Sequence, residues 1–339
     1  MTIGINEVAE AANVSTASVS RALRDLPGVS KQTKQHIMQI AKDLGYMPSH
    51  SAVTLASGRT HTVGLVMPDI SRWFFSVALE GAENTLRDSG YDALLYSLPD
   101  SHGPRHPFDV NVLRGRVDAV IVASIFFNEQ EIEQLQSLNM PVVFISVPQL
   151  GFPHVGIDDE EAAEKACAHL IDLGHTVIGH LSGMGTDSNA NKPTQRRRNG
   201  WRVSLVNAGL DNSSDLEVAP RRMTAQEGYR TTRELLTRRP DVTGIFAGSD
   251  ELAMGSLHAL REMGLEAGRD ISVIGIDNHD LSSAFGLSTV MQPVKEEGST
   301  AARLALEMLM GKEPQTDSVV FSTTLIQRAS TGPAPNNRP

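Results

Sequence analysis

The sequence is poor in cysteine, in aromatic residues and in long apolar runs. Its 339 residues include one cysteine, Cys167, and aromatic residues make up 5%. A single cysteine excludes an internal disulfide framework and favours a reducing compartment. Its helical spacing with Ala163 and Leu170 predicts a buried small side chain, not a nucleophile. No apolar run approaches the roughly 18 residues that cross a bilayer, and the first residues lack the pattern of a secretory signal. We therefore expect a cytoplasmic protein with no membrane partner.

Charge is unevenly distributed along the chain. The net charge is −10, but residues 1–60 carry six basic and four acidic residues, which leaves +2 on this segment and −12 on the remainder. A mildly basic segment attached to an acidic remainder is typical of a nucleic-acid-binding module joined to another domain. The length also exceeds the roughly 250–300 residues that one hydrophobic core serves, so we expect more than one domain.

The N-terminal segment has the pattern of three short helices. The apolar residues that share a face are Val8 and Ala12, then Val19 and Leu23, then Ile37, Ile40, Ala41 and Leu44. Ser15 and Thr33 are predicted to cap the second and third helices, and Gly45 to end the third. Asn13 tolerates the left-handed conformation of a tight turn. A short turn between two helices that a third helix packs against predicts a helix-turn-helix.

The predicted second helix lies in the stretch VSTASVSRAL, residues 14–23. A helix that enters the major groove needs a small, hydrogen-bonding face, because base edges approach it closely. Thr16, Ala17 and Arg21 fit that requirement, and Arg21 is able to donate two hydrogen bonds to guanine. Ser15 and Ser20 suit phosphate contacts. The alternative is a solvated surface helix in an ordinary helical cap.

A short segment between Pro48 and Gly58 follows the third helix. A helix of about nine residues is unstable alone in water, so this one would form only when docked. Leu55 in this segment is a candidate wedge between base steps in the minor groove. The alternative is a flexible linker.

From Thr62 onward, short apolar runs alternate with helical patterns. The first series contains TVGLVMP, FFSVALEGAENTLRDSG, YDALLYS, VDAVIVAS and PVVFISV, and a second series begins after PHVGID. Such alternation predicts parallel sheets with helices on both faces. Two series predict two lobes with a cleft between them.

An α/β enzyme with a helical cap is one alternative for this region. The GMG in HLSGMGTDS lacks the G-x-G-x-x-G spacing, and the sequence has neither a P-loop nor a nucleophile elbow. The acidic run 158–161 is typical of a helix start, where carboxylates meet the positive end of the dipole. His169, His175 and His180 lack metal-ligand spacing. We expect no catalysis, no cofactor and no metal.

The ordered motifs resemble one family. The run INEVAEAANVSTASVSRALRDLPGVSKQTKQHIMQIAKDLGYMPSHSAVTLASGRTHTVGLVMPDISRWFF is similar to the lactose-repressor (LacI/GalR) family of bacterial transcription regulators. The similarity continues through VGIDDEEAAEKACAHLIDLGH, GWRVSLVNAGL, AGSDELAMGSLHALREMG, ISVIGID and STVMQP, and covers about residues 3–330. It implies an α/β fold in which an all-α helix-turn-helix headpiece precedes a two-lobed body like a periplasmic binding protein, built of parallel sheets.

The resemblance also implies boundaries and a function. The headpiece would span 1–48, a hinge helix and linker 49–61, and the effector-binding and dimerisation domain 62–330, with crossovers between lobes near 158–161, 289–293 and 318–322. The chain would be a ligand-responsive repressor of carbohydrate uptake or catabolism genes, associated with the nucleoid. It would bind a palindromic operator as a homodimer or tetramer under the control of a small effector, expected to be a sugar.

By position in the family, the base-reading pair is Thr16 and Ala17, the guanine reader is Arg21, and the operator wedge is Leu55. Two departures concern hinge positions: Ser49 and His50 stand where the family often has asparagine and a basic residue. His50 makes the affinity of the hinge for DNA a candidate for pH dependence. Gly4 stands where a threonine often caps the first helix, so we expect one phosphate contact to be lost.

Family positions that line the effector cleft are Ser71, Trp73, Ser146, Arg197, Met223, Ser249 and Asp277. Asp277 would accept from vicinal hydroxyls, Arg197 would donate, and Trp73 would stack on a sugar ring. The alternatives are a turn residue at 277 and a solvated helix face at 196–198. Met223 replaces an aromatic and Ser249 an asparagine that often contact the ligand. The ligand is therefore a sugar stacked mainly on Trp73, with Phe126 and Phe127 as further walls, or a different molecule.

A solute-binding protein of a sugar transporter is the other alternative. It predicts a signal peptide and no helical head, whereas this sequence has the reverse pattern. The sequence thus favours the DNA-binding regulator.

Overall fold

A computed structural model of the chain describes residues 3–23, 27–46, 58–98, 107–181, 192–314 and 316–335. The predicted hinge residues Ser49, His50 and Leu55 lie outside these ranges. The chain divides into two compact units, Met1–His61 and Thr62–Pro339. Among the described helices, none is both long enough and apolar enough to cross a membrane.

The first unit contains three helices, α1 (Ile5–Ala11), α2 (Thr16–Leu23) and α3 (Lys31–Asp43). Val8, Val19 and Ile37 are fully buried where the helices meet. The predicted left-handed turn is confirmed, because Asn13 between α1 and α2 has a φ of +52°. The three-helix arrangement predicted from the apolar spacing is therefore present.

One of the two predicted helix caps is confirmed and the other is wrong. Ser15 caps α2, since its Oγ accepts from the Ser18 amide at 3.1 Å. The cap of α3 is Ser30 and not Thr33: the Ser30 Oγ accepts from the Thr33 amide at 3.1 Å. The helix begins at Lys31, so Thr33 already lies in the first turn, where its amide is a donor that needs a partner.

The second unit, the body, alternates strands and helices. In chain order it contains β1 (Thr62–Met67), α4 (Trp73–Asp88), β2 (Asp92–Ser97), β3 (Ala119–Ala123), α5 (Glu129–Ser137), β4 (Val142–Ile145), β5 (His154–Ile157), α6 (Asp159–Asp172), β6 (Ile178–Leu181), α7 (Pro193–Asn207), β7 (Glu217–Val218), α8 (Ala225–Arg238), β8 (Gly244–Ala247), α9 (Asp250–Glu262), β9 (Ser272–Asp277), β10 (Ser288–Met291), α10 (Val294–Leu309), β11 (Ser318–Phe321) and β12 (Thr324–Ile326). Short 3₁₀ helices lie at Val110–Leu113 and Ser214–Leu216.

These strands form two six-stranded sheets. The first lobe has the order β11-β5-β4-β3-β1-β2 and the second β12-β10-β9-β8-β6-β7. Neighbouring strands pair in parallel, except that β12 pairs antiparallel with β10. The expected α/β class with two parallel-dominated lobes is confirmed. Strands β3, β4 and β5 are buried along their whole length, as sheets covered on both faces require.

The chain passes between the lobes three times, after β5, after β10 and after β11. The second passage returns α10 to the first lobe, where it packs along α4. Glycines make this close packing possible: a Cβ on Gly298 would lie 2.0 Å from the carbonyl oxygen of Ala78. These three passages are the covalent connections between the two lobes.

Two sequence predictions about the body, a buried Cys167 and a helix start at 158–161, are confirmed. Cys167 is fully buried in the second lobe, and burial raises the pKa of its thiol well above the usual range. The acidic run at 158–161 does start a helix, because Asp158 caps α6 and accepts from the amides of Glu160 and Glu161. Within the described ranges no cluster of His, Cys, Asp and Glu side chains is arranged to hold a metal ion.

Candidate functional site

Helix α2 presents one buried and one exposed face. Val19 and Ala22 are buried against α1 and α3. Thr16, Ala17 and Arg21 are exposed. Because residues four apart lie on the same side of a helix, Ala17 and Arg21 form one row. The structure thus groups the predicted base-reading side chains on the solvent face of α2.

The phosphate-binding candidates lie next to this row. Ser15 is exposed at the start of α2, although its Oγ already caps the helix, and it also shares a hydrogen bond of 3.0 Å with the Ser18 hydroxyl. Ser20 is half-buried, four residues after Thr16. The guanidinium of Arg21 passes close to Gly28, where a Cβ would be 3.5 Å from Nη1. Arg21 is exposed beside this glycine.

In the body, a cavity of about 450 Å³ lies between the two lobes. That volume is in the range of pockets that hold small polar molecules. Five of the seven predicted effector residues line it: Ser146, Arg197, Met223, Ser249 and Asp277. These side chains come from both lobes, as a ligand that joins the lobes requires.

Arg197 is buried in the first turns of α7 and lines the cavity. Its Nε donates to Asp159 at 2.8 Å and its Nη1 donates to the carbonyl oxygen of Gly248 at 2.7 Å. Burial alone would lower the pKa of Arg197, but the carboxylates of Asp159 and Asp277 raise it above its ordinary value. The arginine is therefore a fixed cation, and it is not part of a solvated helix face.

Asp277 ends β9 in the left-handed region, with a φ of +132°. Its Oδ1 accepts from Gln292 Nε2 at 2.6 Å. Burial, opposed by Arg197 and assisted by Asp250, raises the pKa of Asp277 to about 7. Non-glycine residues persist in strained conformations chiefly where function requires them. The backbone thus holds this carboxyl toward the cavity in a costly conformation, which an ordinary turn does not need.

Two further cavity residues share this backbone feature. Ser124, after β3, has a φ of +52°, and Ser146, after β4, has a φ of +67°. Both follow the carboxyl ends of parallel strands, where ligands bind in α/β folds. Ser146 was predicted, but Ser124 was missed; its place at a strand end was the available signal.

Ser249 and Met223 have local structural roles beside the cavity. Ser249 caps α9, where its Oγ accepts from the Leu252 amide at 3.4 Å. Its hydroxyl proton remains available to donate to a ligand. Met223 is half-buried and packs against the core of the second lobe. Neither residue offers a flat surface for a sugar ring.

The structure places Ser71 and Trp73 outside the cavity lining. Ser71 Oγ donates to Asp69 at 2.7 Å. The Trp73 ring stacks on His279 with centroids 5.1 Å apart. Successive side chains diverge by about 100° at the start of a helix. The cavity is consequently lined by the neighbours Arg72, Phe74 and Phe75, which the sequence reasoning missed.

The aromatic walls therefore differ from the expectation. Phe126 lines the cavity, as anticipated, together with Phe74 and Phe75. Phe127 instead belongs to the core of the first lobe and is 1% exposed. Because Phe126 and Phe127 are adjacent, only one of them is able to face the cavity where the chain leaves β3.

Among the residues that the structure describes, three side-chain contacts join the lobes near the cavity. Arg72 pairs with Glu251 at 2.5 Å, Arg222 pairs with Asp69 at 3.0 Å, and Trp73 stacks on His279. In each pair one residue belongs to the first lobe and the other to the second. The lobes are thus closed over the cavity, with Arg72 and Arg222 both in its lining.

Comparisons with known proteins agree with both units. A family model described as bacterial regulatory proteins, lacI family, matches residues 4–49, and a periplasmic binding protein-like domain matches residues 167–331. Catabolite control protein A from Priestia megaterium is 33% identical over 328 residues, which cover 94% of this chain and 96% of that protein.

Solved structures match over the same extent. The complex of the transcriptional regulator CelR with cellobiose is 28% identical, with a TM-score of 0.70, and the match covers 97% of this chain and 99% of that one. The lac repressor dimer bound to operator and the anti-inducer ONPF has a TM-score of 0.84 at 23% identity, over 98% of this chain and 99% of that one. The second likeness shows a shared fold.

Proposed function

The chain belongs to the LacI family of bacterial transcription regulators, and on that premise we propose that it represses carbohydrate uptake or catabolism genes in response to a sugar effector. Like its relatives, it is a DNA-binding regulator and not an enzyme. The observation that carries the effector half of the proposal is the cavity between the lobes, which Arg197 and Asp277 help to line.

The cavity chemistry supports a polyhydroxylated ligand. Asp277 would accept hydrogen bonds from hydroxyl groups, and the Nη2 donors of Arg197, which no described residue uses, would bind ligand oxygens. Phe74 and Phe126 would cover the apolar face of a ring. The cellobiose in the CelR complex is a ligand of that class.

The DNA half of the proposal rests on the first unit. Thr16, Ala17 and Arg21 would read base edges, while Ser15 and Ser20 would hold phosphates. Two headpieces of a homodimer, or pairs of them in a tetramer, would bind the half-sites of a palindromic operator on the cytoplasmic nucleoid.

The hinge and the boundaries belong to the same proposal. Leu55 would wedge at the central base step, with Ser49 and His50 beside it. The headpiece would span 1–48, the hinge 49–61 and the effector domain 62–330. A ligand that binds the closed lobes more tightly than the open lobes would shift the headpieces and hence the affinity for DNA.

A thermal-shift screen of mono- and disaccharides against the full chain tests the effector assignment. We expect at least one sugar to raise the melting temperature and to change operator binding at the same concentration. Asp277→Asn should abolish both effects of that sugar. The matched control Asp280→Asn, an exposed position three residues along, should retain them. A sugar response of the Asp277 variant equal to that of the wild type would contradict the assignment.

A further inference from the structure

Glu297 is a buried carboxyl that the proposed function does not use. It lies in the first turn of α10, is 0% exposed, and neither of its carboxyl oxygens has a hydrogen-bond partner among the described residues. An ionised carboxylate without partners is one of the costliest groups to bury. The side chain is therefore not explained by the packing of α10.

The groups that face Glu297 belong to the opposite lobe. Helix α10 packs on α4, β3, β4 and β5 of the first lobe. The charges that act on Glu297 are Asp159 of α6, Arg197 of α7 and Asp277 of β9, all in the second lobe, and Glu296 of its own helix. Glu297 therefore lies where the two lobes meet, on a helix of the first lobe and beside charges of the second.

The remaining titratable groups around α10 do not neutralise Glu297. His154 of β5 is buried and acts with Asp159 and Arg196, and burial lowers its pKa. On α4, Glu80 pairs with Lys295 at 2.5 Å on the exposed side of the helix. Strands β3 and β4 consist of apolar residues and place no charged side chain beside Glu297 in the described structure.

The charged groups that act on Glu297 are three carboxyl groups and one cation, Arg197. Arg197 already donates hydrogen bonds to the Asp159 carboxylate and to the Gly248 carbonyl oxygen. Burial first, then Asp159 and Asp277, raise the pKa of Glu297 to about 8, against the opposing effect of Arg197. In the closed body near neutral pH, Glu297 is accordingly a neutral acid.

We propose that closure of the two lobes requires Glu297 to take up a proton, which makes the effector-driven closure of the proposed function stronger as the pH falls. Separation of the lobes removes the second-lobe groups and admits water. The hydrated side chain then loses its proton to solvent, as a glutamate of ordinary pKa near 4.3 does. One proton per protomer is bound on closing and released on opening.

The size of the effect follows from proton linkage. Between the pKa of the open form and that of the closed form, the equilibrium constant for closure falls up to about tenfold for each unit of rising pH. Above the closed-state value of about 8 both forms are ionised and the dependence ends. The steep range therefore includes physiological pH.

Distance measurements between spin labels on the two lobes test the proposal without DNA or effector. Leu150→Cys in the first lobe and Val206→Cys in the second supply label sites, because the wild-type residues are 93% and 57% exposed. Cys167, the only native cysteine, is fully buried and stays unlabelled. The full chain is measured from pH 5.5 to 8.5.

We expect the closed population to fall steeply with rising pH in the otherwise native chain. Glu297→Gln should flatten this dependence, and only the smaller contribution of Asp277 should remain. The matched control is Glu296→Gln, which removes the same charge from the adjacent exposed position and should leave the steep dependence intact. Glu297→Met, which fills the site with an apolar side chain, gives the same flat profile if the glutamine variant does not fold.

A flat profile in the native background, or equal slopes in the native and Glu297→Gln proteins, overturns the proton linkage. Because the assay contains neither DNA nor sugar, such a result does not contradict the proposed binding of an operator. Conversely, pH-dependent closure in a protein that binds no operator would overturn the proposed function alone.

Discussion

Replacing Arg197 by methionine should destabilise the body far more than the same replacement of its neighbour Arg196. The two arginines are adjacent in α7 and each makes one ion pair, Arg197 with Asp159 at 2.8 Å and Arg196 with Asp158 at 2.9 Å. They differ in burial. The side chains of the first pair are 9% and 3% exposed, whereas those of the second are 29% and 44% exposed.

Burial sets the expected magnitudes. Loss of one partner from a buried pair leaves an uncompensated charge and costs about 3–5 kcal/mol. Loss of a partly exposed pair costs about 0–1 kcal/mol. Arg197→Met also removes the donor to the Gly248 carbonyl and the cation that most strongly opposes the raised pKa values of Asp277 and Glu297. The variant should therefore fall at the upper end of the first range.

The sign of the pH dependence follows from those carboxyl groups. A carboxyl whose folded-state pKa is raised binds a proton more readily in the folded than in the unfolded chain, so stability falls as the pH rises through that interval. Without Arg197 the folded-state pKa values of Asp277, about 7, and Glu297, about 8, rise further. The loss in Arg197→Met should consequently be larger at pH 8 than at pH 5.5.

Urea unfolding followed by tryptophan fluorescence measures these differences. Both tryptophans, Trp73 and Trp201, lie in the body, so the signal reports the unit that contains the substitution. Protein concentration is held fixed, because association shifts apparent stability. Equal destabilisation of the two variants, or a loss in Arg197→Met that does not change between pH 5.5 and 8, would refute the account of the buried charge cluster.

Three further substitutions test other parts of the account. Arg21→Ala should relax operator specificity, with a loss of about 1–3 kcal/mol at the base it reads, and should leave sugar binding unchanged; an unaltered footprint would exclude α2 as the reading helix. Leu55→Ala should reduce operator bending in a circular-permutation gel assay, and an unchanged bend angle would argue against the wedge. Gly298→Val should destabilise the body by about 3 kcal/mol or more in urea unfolding, because its Cβ would lie 2.0 Å from the Ala78 carbonyl oxygen; a stability within about 0.5 kcal/mol of the wild type would contradict the close packing of α10 on α4.

Much of the first unit follows from local sequence. Asn13 indicates the left-handed turn, and the spacing of Val8, Val19 and Ile37 indicates the core, because short helices are specified by nearby residues. The predicted cap of α3, Thr33, is wrong and the observed cap is Ser30, because both hydroxyl residues lie within one turn of the helix start. The exposed face of α2 was predictable because its opposite face is apolar.

The cavity was only partly predictable from the sequence. Family position indicated Arg197 and Asp277, and both line it. Trp73 does not line it: its ring stacks on His279, and the neighbouring Phe74 and Phe75 line the cavity instead. The positive φ of Ser124 depends on how β3 ends against its neighbours, which no local pattern records.

Glu297 marks the limit of sequence reasoning in this chain. In VKEEG it has the pattern of a solvated helix start, where acidic residues are common. Helix α10 packs on elements of the first lobe, whereas the charges that act on Glu297 come from α6, α7 and β9 of the second lobe, which are distant in sequence. The adjacent Glu296 is exposed, so the two glutamates differ through tertiary structure alone.

Sequencing of genomic DNA captured by the purified full chain tests the central claim most directly. Fragments of the source genome are incubated with the immobilised protein at near-physiological salt, where non-specific phosphate binding is weak. The account predicts a small set of enriched sites that share an inverted repeat, next to carbohydrate genes, with enrichment lost in Arg21→Ala. Uniform recovery of the genome, or the same sites from the Arg21 variant, would contradict it.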